Sequence, residues 1–164
     1  MGTVYRGWQV NLDREIAIKV IHPKLASDRT AVRRFLRESH LSSRLNQPNI
    51  VAVYDFSLHE EQPYLAMEFV RGRSLRQLLD DSPVMDVPDA IAIITQVLDA
   101  LTAAHEQGVI HRDIKPQNIL LQDGHAILAD FGIAAALADP GETAHSRITR
   151  TGMTLGTVGY MAPE

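Results

Sequence analysis

The run His111-Arg112-Asp113-Ile114-Lys115-Pro116-Gln117-Asn118 concentrates a carboxylate, an ammonium and an amide in eight residues, and Asp130-Phe131-Gly132 adds a second carboxylate twelve residues after Asn118. Around these clusters the apolar residues come in short pieces: Val109-Ile110, Ile119 to Leu121 and Ala126 to Leu128. That alternation reads as polar loops carried on a small sheet, the setting in which binding and catalytic groups concentrate. A chain of 164 residues has room for one folding unit with a single core.

The segments before this region set the fold class. Val4 to Val10 and Glu15 to Ile21 are β-rich runs separated by Asn11-Leu12-Asp13, a hairpin signal. Because strand side chains alternate, Ala17, Lys19 and Ile21 share one face and Ile16, Ile18 and Val20 the other, so one face carries a lysine among small and apolar residues. Ser27 or Asp28 caps a helix predicted to run to about Leu45, with Val32, Phe35, Leu36, Leu41 and Leu45 as its apolar stripe. Glu38 lies close to that stripe, where a carboxylate needs a cationic partner. Ile50 to Phe56 and Tyr64 to Val70 read as two further strands, Ser74 as the cap of a short helix, and Asp86 with Pro88 as the start of a long helix that Gly108 ends. From Ile133 to Glu164 the chain is rich in Thr and Gly without strong periodicity, as in a lid or binding loop. The expected fold is α+β: a small antiparallel sheet with one helix, then a mainly helical part.

Composition closes off several function classes. With 45% apolar and 22% charged residues the chain is of ordinary globular type, and a net charge of −4 gives no reason to expect a nucleic-acid partner. No cysteine is present, which removes disulfides, thiolate catalysis and cysteine-ligated zinc. His105, Glu106 and His111 have the wrong spacing for a helical zinc site, and Gly152, Gly156 and Gly159 follow no strand and open no helix. The stretch Ala90 to Ala104 is interrupted by Thr95, Gln96, Asp99 and Thr102, so no membrane segment is expected in this chain and the stretch reads as a buried amphipathic helix.

The polar cluster fits phosphoryl transfer, which needs hard oxygen ligands for magnesium, neutralised phosphate charge and an oriented attacking hydroxyl. On these residues the sequence resembles the protein kinase family over essentially its whole length, most closely the bacterial, eukaryotic-like Ser/Thr branch. His111 to Asn118 matches the catalytic loop and Asp130 to Gly132 the magnesium-binding triplet. The resemblance implies that Asp113 accepts the substrate hydroxyl proton, that Lys115 contacts the γ-phosphate, and that Asn118 and Asp130 hold magnesium, with manganese as a substitute. Lysine two residues after the aspartate is the Ser/Thr rather than the tyrosine pattern. Ala17-Ile18-Lys19 looks like the strand whose lysine grips the α- and β-phosphates of ATP, and Glu38 like its helix partner. Gly2 would be the last glycine of the phosphate-covering loop. Val4 and Ala17 would cover the adenine from above and Leu120 from below, with the backbone of Glu68 to Val70 supplying hydrogen bonds and Met67 guarding the pocket. His111 would be structural.

Further implications stay with the resemblance. Two lobes are expected, 1–70 lacking its first strand and 71–164 as the first half of the second, so that the chain would be a fragment from the glycine-rich loop to the end of an activation segment. Gly156-Thr157 and Tyr160 to Glu164 resemble the end of that segment and favour protein substrates over small molecules. Arg112 marks kinases whose activation loop is ordered by phosphate, with Thr149 and Thr151 as the first acceptors for autophosphorylation, then Thr143, Ser146 and Thr154. Ser42 stands where an apolar residue is common, and Gln47 where histidine is frequent. The implied partners are ATP and Ser/Thr-bearing proteins, and the expected location is the cytoplasm, with room for a membrane anchor in a longer parent. The competing readings are a truncated, inactive kinase fragment that at most binds nucleotide or a partner, and a small-molecule phosphotransferase of similar fold.

Overall fold

The alternation of Glu15 to Ile21 is realised as strand β2 (Arg14–Val20), paired antiparallel with β1 (Thr3–Gln9) through a short 3-10 turn at Val10–Leu12. The computed structural model describes residues 2–22, 26, 28–60, 62–131 and 158–160. Thr143, Ser146, Thr149, Thr151, Thr154, Gly156 and Thr157 lie outside the described residues, as does Gly132. Asp13 closes the β1–β2 turn in the left-handed region at φ 48, a conformation Asp tolerates better than most residues. Two more strands complete a four-stranded antiparallel sheet in the order β1-β2-β4-β3: β3 (Val53–His59) and β4 (Gln62–Glu68).

Helix α1 (Arg29–Ser42) is capped by Asp28, whose side chain accepts from the Thr30 N–H at 2.8 Å. It buries Ala31, Phe35, Ser39 and Ser42 and ends three residues before the predicted Leu45. Beyond Ser43 the backbone bonds tighten from i−4 to i−3, Arg44 to Leu41 and Leu45 to Ser42, and Leu45 is buried from outside the helix. The strand expected from Ile50 begins only at Val53 because Asn49 to Val51 pair elsewhere. Val51 N–H donates to Leu128 O at 3.0 Å and Leu128 N–H to Asn49 O at 2.7 Å, a parallel bridge from the segment before β3 to Leu128.

A second sheet has three strands in the order β5-β6-β7: β5 (Arg73–Ser74), β6 (Ile119–Gln122) and β7 (His125–Leu128). Ser74 also begins α2 (Leu75–Asp81) with a reciprocal capping box to Gln77. Helix α3 (Val87–Glu106) ends in a full Schellman motif: Gly108 at φ 72, with Gly108 N–H to His105 O at 2.9 Å and Val109 N–H to Ala104 O at 2.9 Å. This brings the chain around to the polar run at His111.

Two apolar clusters fill the interior. Phe35, Ile21, Leu65, Met67 and Ala17 pack with Ile127 of β7, while Val97, Ala100 and Ala104 of α3 pack with Ile119, Ala126, Leu128 and Phe131. Strand β7 therefore supplies side chains to both clusters and joins them. Helix α3 is amphipathic as expected, with its apolar residues divided between a buried face and an uncovered one. By length and composition it is long and apolar enough to cross a membrane, and only one face is buried: Val87, Ile91, Ile94 and Leu98 form an exposed stripe at helical spacing. The interruptions at Thr95 and Thr102 are cheap in a helix because each hydroxyl bonds back to the carbonyl four residues earlier, Ile91 at 2.8 Å and Leu98 at 2.9 Å.

Candidate active site

The loop between α3 and β6 is built around a buried imidazole. His111 is 1% exposed, its ring lies 4.6 Å from that of Phe131 in an edge arrangement, and Nε2 donates to Ala129 O at 2.9 Å. The Asp113 N–H donates to Nδ1 at 3.2 Å, which fixes the neutral tautomer with its proton on Nε2. Burial holds the His111 pKa below its ordinary value, and the opposing pull of the Ala129 carbonyl and of Asp130 and Asp113 does not restore it. The sequence-based role of His111, supporting the loop, has this geometry as its content.

Asp113, thus oriented, is 5% exposed. Lys115 Nζ lies 2.6 Å from its Oδ2, and Asn118 Nδ2 donates to Asp113 O at 2.8 Å and to Oδ2 at 3.2 Å. Asn118 sits in a short 3-10 turn, Pro116–Asn118, closed by its own N–H to Lys115 O, and its carbonyl accepts from Ala129 N–H at 2.8 Å. The last bond ties the loop of residues 111–118 to the segment carrying Asp130. Arg112 and Asp130 both occupy left-handed backbone, φ 66 and φ 67, at a cost of roughly 1–2 kcal/mol per residue that surrounding contacts must offset.

Across the cleft, Lys19 is 6% exposed and its Nζ lies 2.7 Å from Asp130 Oδ2. This differs from the expected pairing with Glu38, which instead lies beside Arg37 at 3.6 Å. A buried ammonium takes the carboxylate within reach, and that carboxylate is Asp130. A second contact from α1 was missed by sequence reasoning: Ser42 Oγ donates to Phe131 O at 3.2 Å, so the polar residue at this position is a hydrogen-bond donor to the Asp130-Phe131 segment. Only the departure from the family's apolar residue could have signalled it. Beside it Ser39 Oγ is buried without a partner among the described residues, against a cavity of about 10 Å³ lined in part by Ser39, Ser42, Met67 and Asp130.

The residues expected around adenine converge in part. Ala17, Met67, Val70 and Leu120 belong to one apolar cluster, and Ala17 faces Met67 across the β2–β4 ladder. Val4 lies opposite Lys19 on β1 and is exposed. Gly2 approaches β2 so closely that a Cβ would collide with the Val20 carbonyl. Glu68 N–H is taken by Ala52 O at 2.8 Å and Val70 O by Gly72 N–H at 3.0 Å, while Val70 N–H has no partner among the described residues. For a divalent cation the donor set is suitable: Asn118 commits its amide nitrogen to Asp113 and so presents Oδ1, and Asp130 adds a carboxylate, both hard oxygens.

The protein kinase domain family matches residues 1–164, the whole chain. The chain belongs to the protein kinase family. Its relatives include the Mycobacterium tuberculosis serine/threonine-protein kinase PknL, 43% identical over 99% of this chain and 39% of that protein, and Bacillus subtilis PrkC, 38% identical over 100% of this chain and 24% of that protein. Among solved structures, the M. tuberculosis PknI kinase domain superposes with a TM-score of 0.76 at 38% identity, covering 82% of this chain and 55% of that one. The chain thus spans less than two fifths of these curated kinases and about half of the solved kinase domain. The kinase fold accounts for the two-sheet architecture, and the Ser/Thr kinases among its relatives agree with Lys115 standing two residues after Asp113.

Proposed function

We propose that this chain transfers the γ-phosphoryl group of ATP to Ser or Thr hydroxyls of proteins, with residues 1–70 and 71–164 as the two sides of the nucleotide cleft. The observation that carries the reading is the Asp113 carboxylate, buried yet held by Lys115 Nζ at 2.6 Å and Asn118 Nδ2 at 3.2 Å. A carboxylate so oriented is an acceptor for the hydroxyl proton as the oxygen attacks the γ-phosphorus and ADP leaves.

Lys115 sits beside that carboxylate and neutralises charge growing on the γ-phosphoryl oxygens; Lys19 does so for the α- and β-phosphates. Asn118 Oδ1 and the Asp130 carboxylate would hold magnesium or manganese, which would offset the remaining phosphate charge. The adenine edge is read by the Val70 N–H, which has no partner among the described residues, and by the Glu68 carbonyl, between Ala17 and Leu120, with Val4 above, Met67 behind and Gly2 near the phosphates. Glu38 on α1 is the carboxylate that would take over Lys19 where Asp130 held a cation. Thr149 and Thr151 are the autophosphorylation sites in this reading.

One observation favours a second reading, a nucleotide-binding fragment without turnover: Lys19 and Asp130 neutralise each other. Incubation with γ-labelled ATP, magnesium and a generic phosphoacceptor protein, followed by phosphoamino-acid analysis, separates the two. Phosphoserine and phosphothreonine are expected; nucleotide binding without label transfer supports the fragment.

A further inference from the structure

Residues 69–72 link the two sheets, and Arg71 in this linker is fastened to both. Its backbone N–H donates to Gln122 Oε1 on β6 at 2.7 Å. Next to it Gly72 lies so close to β6 that a Cβ would collide with the Leu121 carbonyl, and Arg73 pairs with Leu121 in the β5–β6 ladder. The Arg71 side chain reaches the other way. Its Nε donates to Glu15 Oε2 at 2.7 Å and its Nη2 bonds the same oxygen.

Glu15 is the hub. Its other oxygen accepts from Arg6 Nε at 2.7 Å and from Arg6 Nη2, and the Arg6 guanidinium lies 5.1 Å from the centre of the Phe69 ring in the linker. The Glu15 side chain is 9% exposed although both arginines are mostly exposed. The β2–β4 ladder ends at Ile16 opposite Glu68, so Glu15 is the first residue of β2 beyond it and prolongs the attachment by side chains. The hydrogen bonds from Arg6, then those from Arg71, hold its carboxyl below the usual glutamate range and keep it charged.

We propose that Glu15, bonded to Arg71 and Arg6, is a positioning clamp that fixes the β1–β2 hairpin over the linker and so sets the width of the nucleotide cleft. The hairpin carries Gly2, Val4, Ala17 and Lys19, and the linker follows Glu68 to Val70, so the clamp governs the distance between the two edges that must meet one nucleotide. This rests on the nucleotide-binding reading above. Each guanidinium directs two N–H groups onto one Glu15 oxygen, Arg71 onto Oε2 and Arg6 onto Oε1, so the carboxylate is fixed from both sides by charge-assisted bonds, whereas exposed ion pairs add little to global stability. The clamp therefore acts on geometry more than on unfolding.

The test uses the whole chain with Glu15→Gln, Arg71→Ala, Arg71→Lys and the Glu15→Gln/Arg71→Ala double variant. Hydrogen exchange without nucleotide is expected to speed up in residues 3–20 and 69–72 of the first two variants, with little change in melting temperature. Binding of a fluorescent ATP analogue with magnesium is expected to weaken about threefold to fivefold in each, with the double variant no worse than the singles and Arg71→Lys partly restored. The apparent KM for ATP should rise by the same factor while kcat stays within about twofold. Unchanged hairpin exchange, or additive losses in the double variant, overturns the clamp. A wild-type chain that binds no analogue counts against the proposed function instead, because the exchange readout judges the clamp without nucleotide.

Discussion

Lys19 and Asp130, 111 residues apart in sequence, meet at 2.7 Å between Nζ and Oδ2, so the buried lysine of β2 is neutralised by the carboxylate that follows β7. A charge so placed depends on its counter-ion. Asp130→Asn keeps a side chain that tolerates left-handed backbone but removes the charge, and is expected to lower stability by about 1–3 kcal/mol. Adding Glu38→Gln should cost more in that background than in the wild type, by roughly 0.5 kcal/mol or more, because Glu38 is the alternative partner. Urea unfolding of the four proteins measures this; strict additivity would show that Glu38 never reaches Lys19.

His111 gives the chain a pH dependence of definite sign. Burial disfavours its protonated form in the folded state, so the unfolded chain binds more protons below about pH 6.5. Its contribution to stability is therefore fully present above that pH and is lost as pH falls towards 5. Melting curves between pH 8 and 5, without nucleotide or magnesium, should show a decline that is shallower in His111→Asn. An equal decline in both would place the acid sensitivity elsewhere.

Two neighbouring serines on α1 should respond in opposite directions. Ser39 Oγ is fully buried and has no partner among the described residues, so Ser39→Ala is expected to raise stability by about 1 kcal/mol. Ser42 Oγ holds the Phe131 carbonyl, so Ser42→Ala should lower it by about 1 kcal/mol. Chemical denaturation with an unchanged m-value reads both. A loss in Ser39→Ala would mean that its hydroxyl is satisfied within the 10 Å³ cavity beside it, a volume close to that of one water.

Local periodicity carried much of the fold. The Ala17, Lys19, Ile21 face was legible because strand alternation is strict, and the ends of α3 because Asp86, Pro88 and Gly108 are strong punctuation. Boundaries failed where tertiary pairing intervened: Ile50 and Val51 have the composition of β3 but are drawn to Leu128 of the other sheet. In the candidate site the residue types were readable from motif spacing, whereas their pairing was not. Lys19 faced two carboxylates, and nothing in the sequence decides between Glu38 and Asp130. The Glu15–Arg71 link, 56 residues apart, leaves no periodic trace at all. Ser42 appeared only as a departure from an apolar pattern, and its bond to Phe131 needed three dimensions.

In the proposed reaction Asp113 accepts the proton of the attacking hydroxyl during phosphoryl transfer. The direct measurement is incorporation of label from γ-labelled ATP with magnesium by the purified chain and by its Asp113→Asn variant, side by side, with nucleotide binding measured on both. Incorporation by the wild type is expected, falling by roughly 100-fold or more in the variant while nucleotide binding persists. Equal incorporation by the two proteins, or none by a wild-type chain that binds nucleotide, would contradict it.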